Sequence, residues 1–406
     1  MDNRIVSFFG IFAMLFICWL CSKNRRLIPW RVVIVGTVLQ FLIGFFVLET
    51  DIGLQIFTGI GNFIAKLLDF STEGARFLFG NLVSDQNIGA IFAFRVLPTI
   101  IFVSSLMAIL YHLKIMQAVV SFMARIMTWS MKVSGAESLS VAANVFVGQT
   151  EAPLVIRPYI EKMTESELLV LMTGGFATIA GGVMAAYISF GIDPVHLLTA
   201  SLMSAPAALV AAKLIIPETE RPLTYGDVKI HVETPDVNVI DAAARGASEG
   251  LKLVLNVGAM LLAFLAVVYM LNWILAGIGS SVGVENLSLQ MILGFVFAPI
   301  AWLMGIPWVD CVKAGDLIGQ KTILNEFVAY LSLKDQMTSL SPRTVTILTY
   351  ALCGFANLGS IGIQLGGIGA LAPSRRHDLA RIAIRALVGG TIASFLTANI
   401  AGVLIE

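Results

Sequence analysis

The chain has 406 residues, of which 57% are hydrophobic and only 13% are charged. A soluble globular domain carries roughly 25% charged residues, so this composition is typical of an integral membrane protein surrounded by lipid. Lysine plus arginine number 26 and so do aspartate plus glutamate, and because this balance gives no net charge, we expect no nucleic-acid partner.

Eight stretches are apolar over the roughly 20 residues that a bilayer-spanning helix needs. They are 5–21, 32–49, 91–113, 168–189, 195–216, 252–275, 344–366 and 383–404. The first lacks a small-residue cleavage site and is followed by Arg25 and Arg26, so we expect an uncleaved helix and not a signal peptide. Basic residues cluster after the first, third and seventh stretches, which predicts that both termini lie on the outer side of the membrane.

Several other segments do not suit a simple crossing. Apolar residues recur at helical spacing in 52–82 and 115–133, which predicts helices lying in the membrane interface. Segments 137–160 and 310–333 are too polar at their centres to cross, so we expect re-entrant hairpins, the first entering from the cytoplasm and the second from outside. Opposite entry is typical of an inverted repeat.

The predicted fold class is therefore an all-α polytopic membrane protein with eight transmembrane helices, two re-entrant helical hairpins of opposite orientation, interfacial helices and an inverted repeat. We divide the chain into an N-terminal part, 1–90, a first repeat, 91–250, and a second repeat, 251–406. The helices near the substrate site should be broken.

Each hairpin carries a carboxylate at its centre, Glu151 in the first and Glu326 in the second. A carboxylate at the middle of a membrane helix costs about 2.5–3.5 kcal/mol on insertion scales, so such a residue usually marks a substrate or ion path. The alternatives are that the tips reach only the headgroups, or that Arg157 and Lys321 neutralise the two charges. The neighbouring amides and hydroxyls suit a neutral, polyhydroxylated solute.

Glycines cluster around polar residues in two of the apolar stretches. Gly174, Gly175, Gly181 and Gly182 flank Thr178, and Gly354, Gly359 and Gly362 surround Asn357 and Ser360. Glycine weakens a helix interior by roughly 1 kcal/mol relative to alanine, so we expect local unwinding that frees carbonyls for a cation. The alternative is close helix packing through small residues.

At these positions the chain resembles the bacterial concentrative nucleoside transporters over nearly its whole length. The resemblance is carried by Phe92-Ala93-Phe94-Arg95-Val96-Leu97-Pro98, Gly148-Gln149-Thr150-Glu151-Ala152-Pro153-Leu154, Pro217-Glu218-Thr219-Glu220, Asn325-Glu326-Phe327-Val328-Ala329-Tyr330 and Gly354-Phe355-Ala356-Asn357-Leu358. It implies a homotrimer in the bacterial inner membrane. Each protomer would hold a scaffold and a mobile transport domain, and would import nucleosides such as uridine and adenosine by sodium symport with alternating access.

The resemblance also implies roles for individual residues. The nucleobase would contact Gln149, Thr150, Glu151, Val183 and Phe355, and the ribose would contact Glu326, Asn357 and Ser360. Sodium would bind Asn144, the carbonyl of Val147, the hydroxyl of Thr178 and the carbonyl of Ile179. Thr178 and Gly359 stand where relatives often carry serine; threonine keeps the oxygen, whereas Gly359 removes one beside the ribose residues.

Three alternatives differ in mechanism. A proton-coupled nucleoside carrier would need no oxygen cage, so Asn144 and Thr178 favour sodium. An intramembrane enzyme is disfavoured because no H-E-x-x-H motif and no Ser-His pair falls at membrane depth. A channel would not need two hairpins of opposite entry. We therefore expect a transporter without an organic cofactor.

Overall fold

The computed structural model describes residues 2–84, 92–225, 236–281, 283 and 287–406. Nearly all of these residues lie in α-helices, and the only β-type pairing among them is an isolated bridge between Ser134 and Tyr225. The predicted all-α fold is therefore confirmed.

The helices are numbered α1 to α20 along the chain. The N-terminal part contains α1 Asn3–Leu20, α2 Trp30–Glu49, α3 Asp51–Phe79 and α4 Asn81–Ser84. The first half contains α5 Phe92–Arg95, α6 Leu97–His112, α7 Ile115–Met131, α8 Gly135–Asn144, α9 Ala152–Val155, α10 Arg157–Ile160, α11 Glu165–Ala177, α12 Gly181–Ser189 and α13 Pro194–Ile215. The second half contains α14 Val239–Ser281, α15 Leu289–Leu303, α16 Cys311–Ile323, α17 Glu326–Gln336, α18 Pro342–Leu352, α19 Leu358–Leu371 and α20 Arg376–Leu404, with short 3₁₀ turns at Trp308–Asp310, Met337–Ser339 and Pro373–Arg375.

Each predicted span corresponds to a helix or to an interrupted helix pair. Among the described residues, six helical stretches are long and apolar enough to cross a membrane, namely α1, α2, α11 with α12, α13, α14 and α20. A seventh is counted only when α6 and α7, which are bent by 76° from each other, are taken together as one span. The eighth predicted span, 344–366, is α18 and α19, whose halves are each shorter than a full crossing.

The boundaries differ most at α14, which covers 43 residues where the sequence predicts a span at 252–275. Its N-terminal turns are polar, and Arg245 pairs with Glu249 one turn later and with Asp236 just before the helix. The pair of Arg245 and Glu249, four residues apart, stabilises the helix in this polar segment. The side-chain bonds from Arg245 also lower the pKa of Asp236.

Two helical hairpins lie where the sequence predicts them. In the first, α8 is followed by a tip at 145–151 and by α9 and α10, and in the second, α16 turns directly into α17. Ser134 and Glu137 form a capping box at the start of α8, and Asn325 caps α17 by accepting a bond from the Val328 N–H at 2.9 Å. The depth of these hairpins in a bilayer stays a prediction.

Both predicted helix breaks are confirmed. Residues 178–180 separate α11 from α12, and residues 353–357 separate α18 from α19. Each half therefore runs in the order hairpin, interrupted helix and long buried helix, the last being α13 in the first half and α20 in the second. This order is the one that the repeat hypothesis predicts.

A buried ionic network ties the base of the first hairpin to the helices behind it. The ammonium of Lys213 on α13 lies 2.7 Å from the Glu137 carboxylate and 3.1 Å from that of Glu218, and all three groups lie mostly inside the protein. Glu218 also accepts a bond at 2.9 Å from Thr164, which caps α11. These contacts give the Pro217–Glu220 motif a structural role.

The base of the second hairpin is anchored in a comparable way. The carboxylate of Asp310 accepts bonds from the hydroxyls of Ser341 at 2.9 Å and Thr344 at 2.7 Å. Ser341 caps α18, which begins the second interrupted helix. In both halves, therefore, a carboxylate connects the base of the hairpin region to the start of the interrupted helix, which is α11 in the first half and α18 in the second.

Candidate functional site

Glu326 lies at the centre of the polar residues that the sequence singles out. It begins α17 and is only 5% exposed. Its Oε1 accepts a hydrogen bond from the Tyr187 hydroxyl at 3.1 Å, and its Oε2 accepts one from the Asn357 amide at 3.0 Å. The structure thus joins the second hairpin to α12 and to the second break.

A chain of amides continues from Asn357 to the first hairpin. The Asn357 side chain caps α19 by accepting a bond from the Ser360 N–H at 2.9 Å. The Ser360 hydroxyl accepts a bond from Gln149 at 3.2 Å, and the Gln149 oxygen accepts one from Gln364 at 3.1 Å. Gln364 also donates to the Met172 carbonyl at 3.1 Å. Residues from both hairpins and both interrupted helices therefore share one buried network.

The sequence analysis missed Tyr187 and Gln364. Both are fully buried in the helices that follow the two breaks. A glutamine within an apolar helix is a recognisable signal, because a buried amide needs hydrogen-bond partners. A tyrosine in such a helix gives a weaker signal, since its ring alone would suit the core.

Thr150 and Glu151 lie at the tip of the first hairpin but outside this network. The Thr150 hydroxyl donates to the Glu151 carboxylate at 3.3 Å, and Glu151 is exposed. Neither Arg157 nor any other described cation forms an ion pair with Glu151, and Lys321 forms none with Glu326. Direct ion pairs with these two neighbours therefore do not neutralise the two acids.

The two apolar residues predicted to contact the base lie near different breaks. Val183 is 2% exposed in the first turn of α12, and Phe355 is half-buried in the second break. The Phe355 N–H donates to the Thr178 carbonyl at 3.1 Å, so the two breaks touch. Gly354 permits this approach, because a Cβ there would lie 2.8 Å from the Phe176 carbonyl oxygen.

Asn144, a predicted sodium ligand, has an unsatisfied oxygen. It is fully buried at the end of α8, its amide nitrogen donates to the Ser140 carbonyl at 3.1 Å, and its Oδ1 has no hydrogen-bond partner in the described structure. A buried polar atom without a partner needs an explanation, and an ion is one of the few available.

Thr178 lies close to Asn144, with Gly174 between them. The Thr178 hydroxyl donates to the Gly174 carbonyl at 2.9 Å, and a Cβ on Gly174 would lie 3.3 Å from the Asn144 amide nitrogen. Of the other two predicted ligands, Ile179 is fully buried in the break and Val147 is half-buried in the tip. No group of three or more His, Cys, Asp and Glu residues suited to a metal occurs in the described parts of the chain, so a cation here would depend on neutral oxygens.

Gly359 leaves room for a side chain beside the network. A Cβ at this position would lie 3.4 Å from both the Asn357 amide oxygen and the methyl group of Met260 on α14. These are ordinary van der Waals contacts, so the glycine is not required by packing.

Comparison with known proteins identifies the family. The profile described as "Na+ dependent nucleoside transporter C-terminus" matches residues 196–402, the corresponding N-terminal profile matches 9–82, and a "Nucleoside recognition" profile matches 93–193. The chain belongs to the sodium-dependent nucleoside transporter family. It is 46% identical to the uncharacterized transporter YutK of Bacillus subtilis, over 99% of this chain and 100% of that protein.

Other members of the sodium-dependent nucleoside transporter family are similar in sequence and in structure. Sodium/nucleoside cotransporter 1 of Rattus norvegicus is 44% identical over 99% of this chain, which spans only 64% of that longer protein. The structure of CNTnw in an inward-facing substrate-bound state matches with a TM-score of 0.94 at 43% identity, covering 99% of this chain and 98% of that one. An outward-facing CNTnw variant matches with a TM-score of 0.95 at 43% identity, covering 99% and 97%.

These matches show an integral membrane transporter, and not an enzyme, in which nucleoside movement is coupled to sodium with alternating access. The predictions of family, fold class, transport activity and coupling ion are confirmed at this level. The comparisons give no residue a role, so the site residues stay predictions.

Proposed function

We propose that the chain imports ribonucleosides such as uridine and adenosine by sodium symport across a bacterial cytoplasmic membrane. Three such chains would assemble as a homotrimer, with both termini on the outer side and lipid around the rest. The full-length similarity to the Bacillus protein supports the membrane assignment. The basic residues that follow the first, third and seventh spans support the orientation.

The ribose would bind at Glu326, Asn357 and Ser360. The observation that carries this proposal is that these three residues, from the hairpin and the second break, already form one buried hydrogen-bonded group. A carboxylate oxygen can accept more than one bond, so Glu326 can receive sugar hydroxyls beside Tyr187 and Asn357. A site that must satisfy buried polar groups rejects a sugar lacking the matching hydroxyl.

The nucleobase would lie between the first hairpin tip and the two breaks. Gln149, Thr150 and Glu151 would supply the polar contacts, and Val183 and Phe355 would supply the apolar ones. The bond from Gln149 to Ser360 supports this arrangement, because it places the base-contacting amide directly beside a ribose-contacting hydroxyl.

Sodium would bind Asn144, the Val147 carbonyl, the Thr178 hydroxyl and the Ile179 carbonyl. The unpaired Oδ1 of Asn144 supports this set. Asn399 on α20 also has an unpaired Oδ1, but that oxygen is closed off, since a Cβ on Gly10 would lie 2.0 Å from it. An ion at the first tip would order the base contacts, so sodium and nucleoside would increase each other's affinity.

The test is uptake of radiolabelled uridine and adenosine into proteoliposomes, with sodium and proton gradients imposed separately. We expect accumulation only with sodium. Asn144→Ser should raise the sodium concentration for half-maximal uptake about tenfold, since losing one ligand bond costs about 1–3 kcal/mol.

Asn399→Ser is the matched control, because Asn399 has the same backbone bond, at 2.8 Å to Phe395, but no room for an ion. It should leave the sodium dependence unchanged. Full accumulation driven by a pH gradient in sodium-free buffer would refute the coupling, and an Asn144→Ser protein with normal sodium dependence would refute the ligand set.

A further inference from the structure

Lys321 is a fully buried lysine near the tip of the second hairpin, and the proposed function does not use it. Its ammonium donates to the Ala351 carbonyl at 2.7 Å and lies 6.0 Å from the centroid of the Phe395 ring. No described carboxylate lies within ion-pair distance of it, and Glu326 accepts its side-chain hydrogen bonds from Tyr187 and Asn357. A buried charge is costly unless it is compensated, so this ammonium needs a negative partner of another kind.

That partner is the C-terminal end of α18. Ala351 is the next-to-last residue of the helix, and in an unbroken helix its carbonyl would accept the N–H of Phe355. That N–H donates instead to the Thr178 carbonyl at 3.1 Å. The break therefore leaves a free carbonyl at the negative end of a helix dipole, and Lys321 occupies it.

The first half has a similar helix end at its own break. The helical donor for the Ala177 carbonyl would be the Gly181 N–H, which donates instead to the Phe146 carbonyl in the hairpin tip at 3.1 Å. Asn144, at the end of α8, has an unpaired oxygen, and its amide nitrogen lies beside Gly174 in the last turns of α11. Lys321 lies at the corresponding end of α16, so one hairpin presents an oxygen where the other presents an ammonium.

We propose that Lys321 is a tethered cation that permanently fills the second half's counterpart of the sodium site. This inference rests on the proposed position of sodium in the first half. Carbonyl oxygens at the C-terminal end of a half-helix bind either kind of cation, but a lysine stays with the protein throughout the cycle. The second half thus always contains the positive charge of Lys321, and no free ion is transported at this position. One sodium should therefore cross the membrane with each nucleoside.

The first measurement needs no variant. Labelled sodium and labelled uridine are followed together in proteoliposomes holding the wild-type protein, and we expect a flux ratio of one and a sodium Hill coefficient of one. A ratio of two would overturn the proposal, because the second site would then be taking a free ion.

Two substitutions separate the charge of Lys321 from its volume. Lys321→Asn opens space and adds an oxygen, so a second sodium should bind, and the Hill coefficient and the flux ratio should both rise towards two. Lys321→Met keeps an unbranched stem of similar length without the charge, so uridine uptake should fall at least tenfold at every sodium concentration. A role in packing alone would leave Lys321→Met active.

Lys334→Asn is the matched control, because Lys334 is an exposed lysine on the same hairpin, and it should behave as wild type. A folded Lys321→Asn protein that binds only one sodium by isothermal titration would overturn the proposal. Asn144→Ser distinguishes the two hypotheses: unchanged sodium dependence in that variant would refute the first-half site, whereas the flux ratio of the wild type tests Lys321 independently.

Discussion

Replacing Glu326 with glutamine should weaken ribonucleoside binding sharply while leaving the fold intact. The carboxylate accepts one bond from Tyr187 at 3.1 Å and one from Asn357 at 3.0 Å. Glutamine has nearly the same shape but only one acceptor oxygen. Its NH₂ group would face one of these two donors and would leave that donor without a partner.

The size of the effect follows from the bonds that change. A hydrogen bond to a charged group contributes about 1.5–3 kcal/mol, roughly twice a neutral one. Losing one such bond to a ribose hydroxyl should raise the Kd about ten- to hundredfold, since each 1.4 kcal/mol is a factor of ten. The Tyr187 or Asn357 donor left unpaired is present in the free protein as well, so its cost should lower the melting temperature instead.

The assay is isothermal titration of the purified protein with uridine, 2′-deoxyuridine and 3′-deoxyuridine in sodium buffer. Wild type should bind a deoxyuridine more weakly than uridine when the missing hydroxyl is one that Glu326 contacts. Glu326→Gln should show a smaller difference in Kd between the two compounds. Glu73→Gln, which changes an exposed acid on α3, is the control. If Glu326→Gln bound uridine as tightly as wild type, Glu326 would not be a sugar ligand.

Two further substitutions test the contacts that hold the site together. Gly354→Ala should abolish uptake, because its Cβ would lie 2.8 Å from the backbone oxygen of Phe176 and would push the two breaks apart. Gly362→Ala is the control and should transport normally, because the space around its Cβ is open. Equal activity of the two variants would contradict this reasoning. Lys213→Met should destabilise the protein by about 3–5 kcal/mol in a thermal-unfolding assay, because it leaves two carboxylates without their ion-pair partner. Lys23→Met is the control, because it breaks an exposed pair that contributes about 0–1 kcal/mol. Similar losses of stability in both variants would refute a special role for the buried network.

The sequence predicted the features that depend on local composition. Glycines next to Thr178 and Asn357 predicted breaks at both positions, because a glycine-rich run beside a hydroxyl or amide forms a weak helix in any apolar segment. The polar centres of the two hairpins were recognisable for a similar reason. Glu151 and Glu326 interrupt otherwise apolar sequence, and an acid inside a membrane-spanning segment would be too costly to be incidental.

The partners of these groups could not be predicted. Tyr187 and Glu326 are 139 positions apart, and Gln149 and Gln364 are 215 positions apart. Only the packing of the halves brings them together, and no periodicity encodes such a pairing. For the same reason, the sequence alone suggested that Lys321 neutralises Glu326. In the structure its ammonium contacts the C-terminal end of α18 instead.

The hydrogen bonds at the two breaks restrict how the transporter can alternate. Phe355 joins the second break to Thr178 in the first, and Gly181 joins the first break to Phe146 in the hairpin tip. Lys321 joins the second hairpin to the end of α18. Separating any of these groups would strand a buried donor or acceptor at a cost of about 1–3 kcal/mol each. We therefore expect that alternation keeps these bonds and carries both hairpins and both interrupted helices as one body. We expect the surface against which that body moves to lie elsewhere, and α14 is available for it because only 17% of the residues in its most apolar stretch are buried.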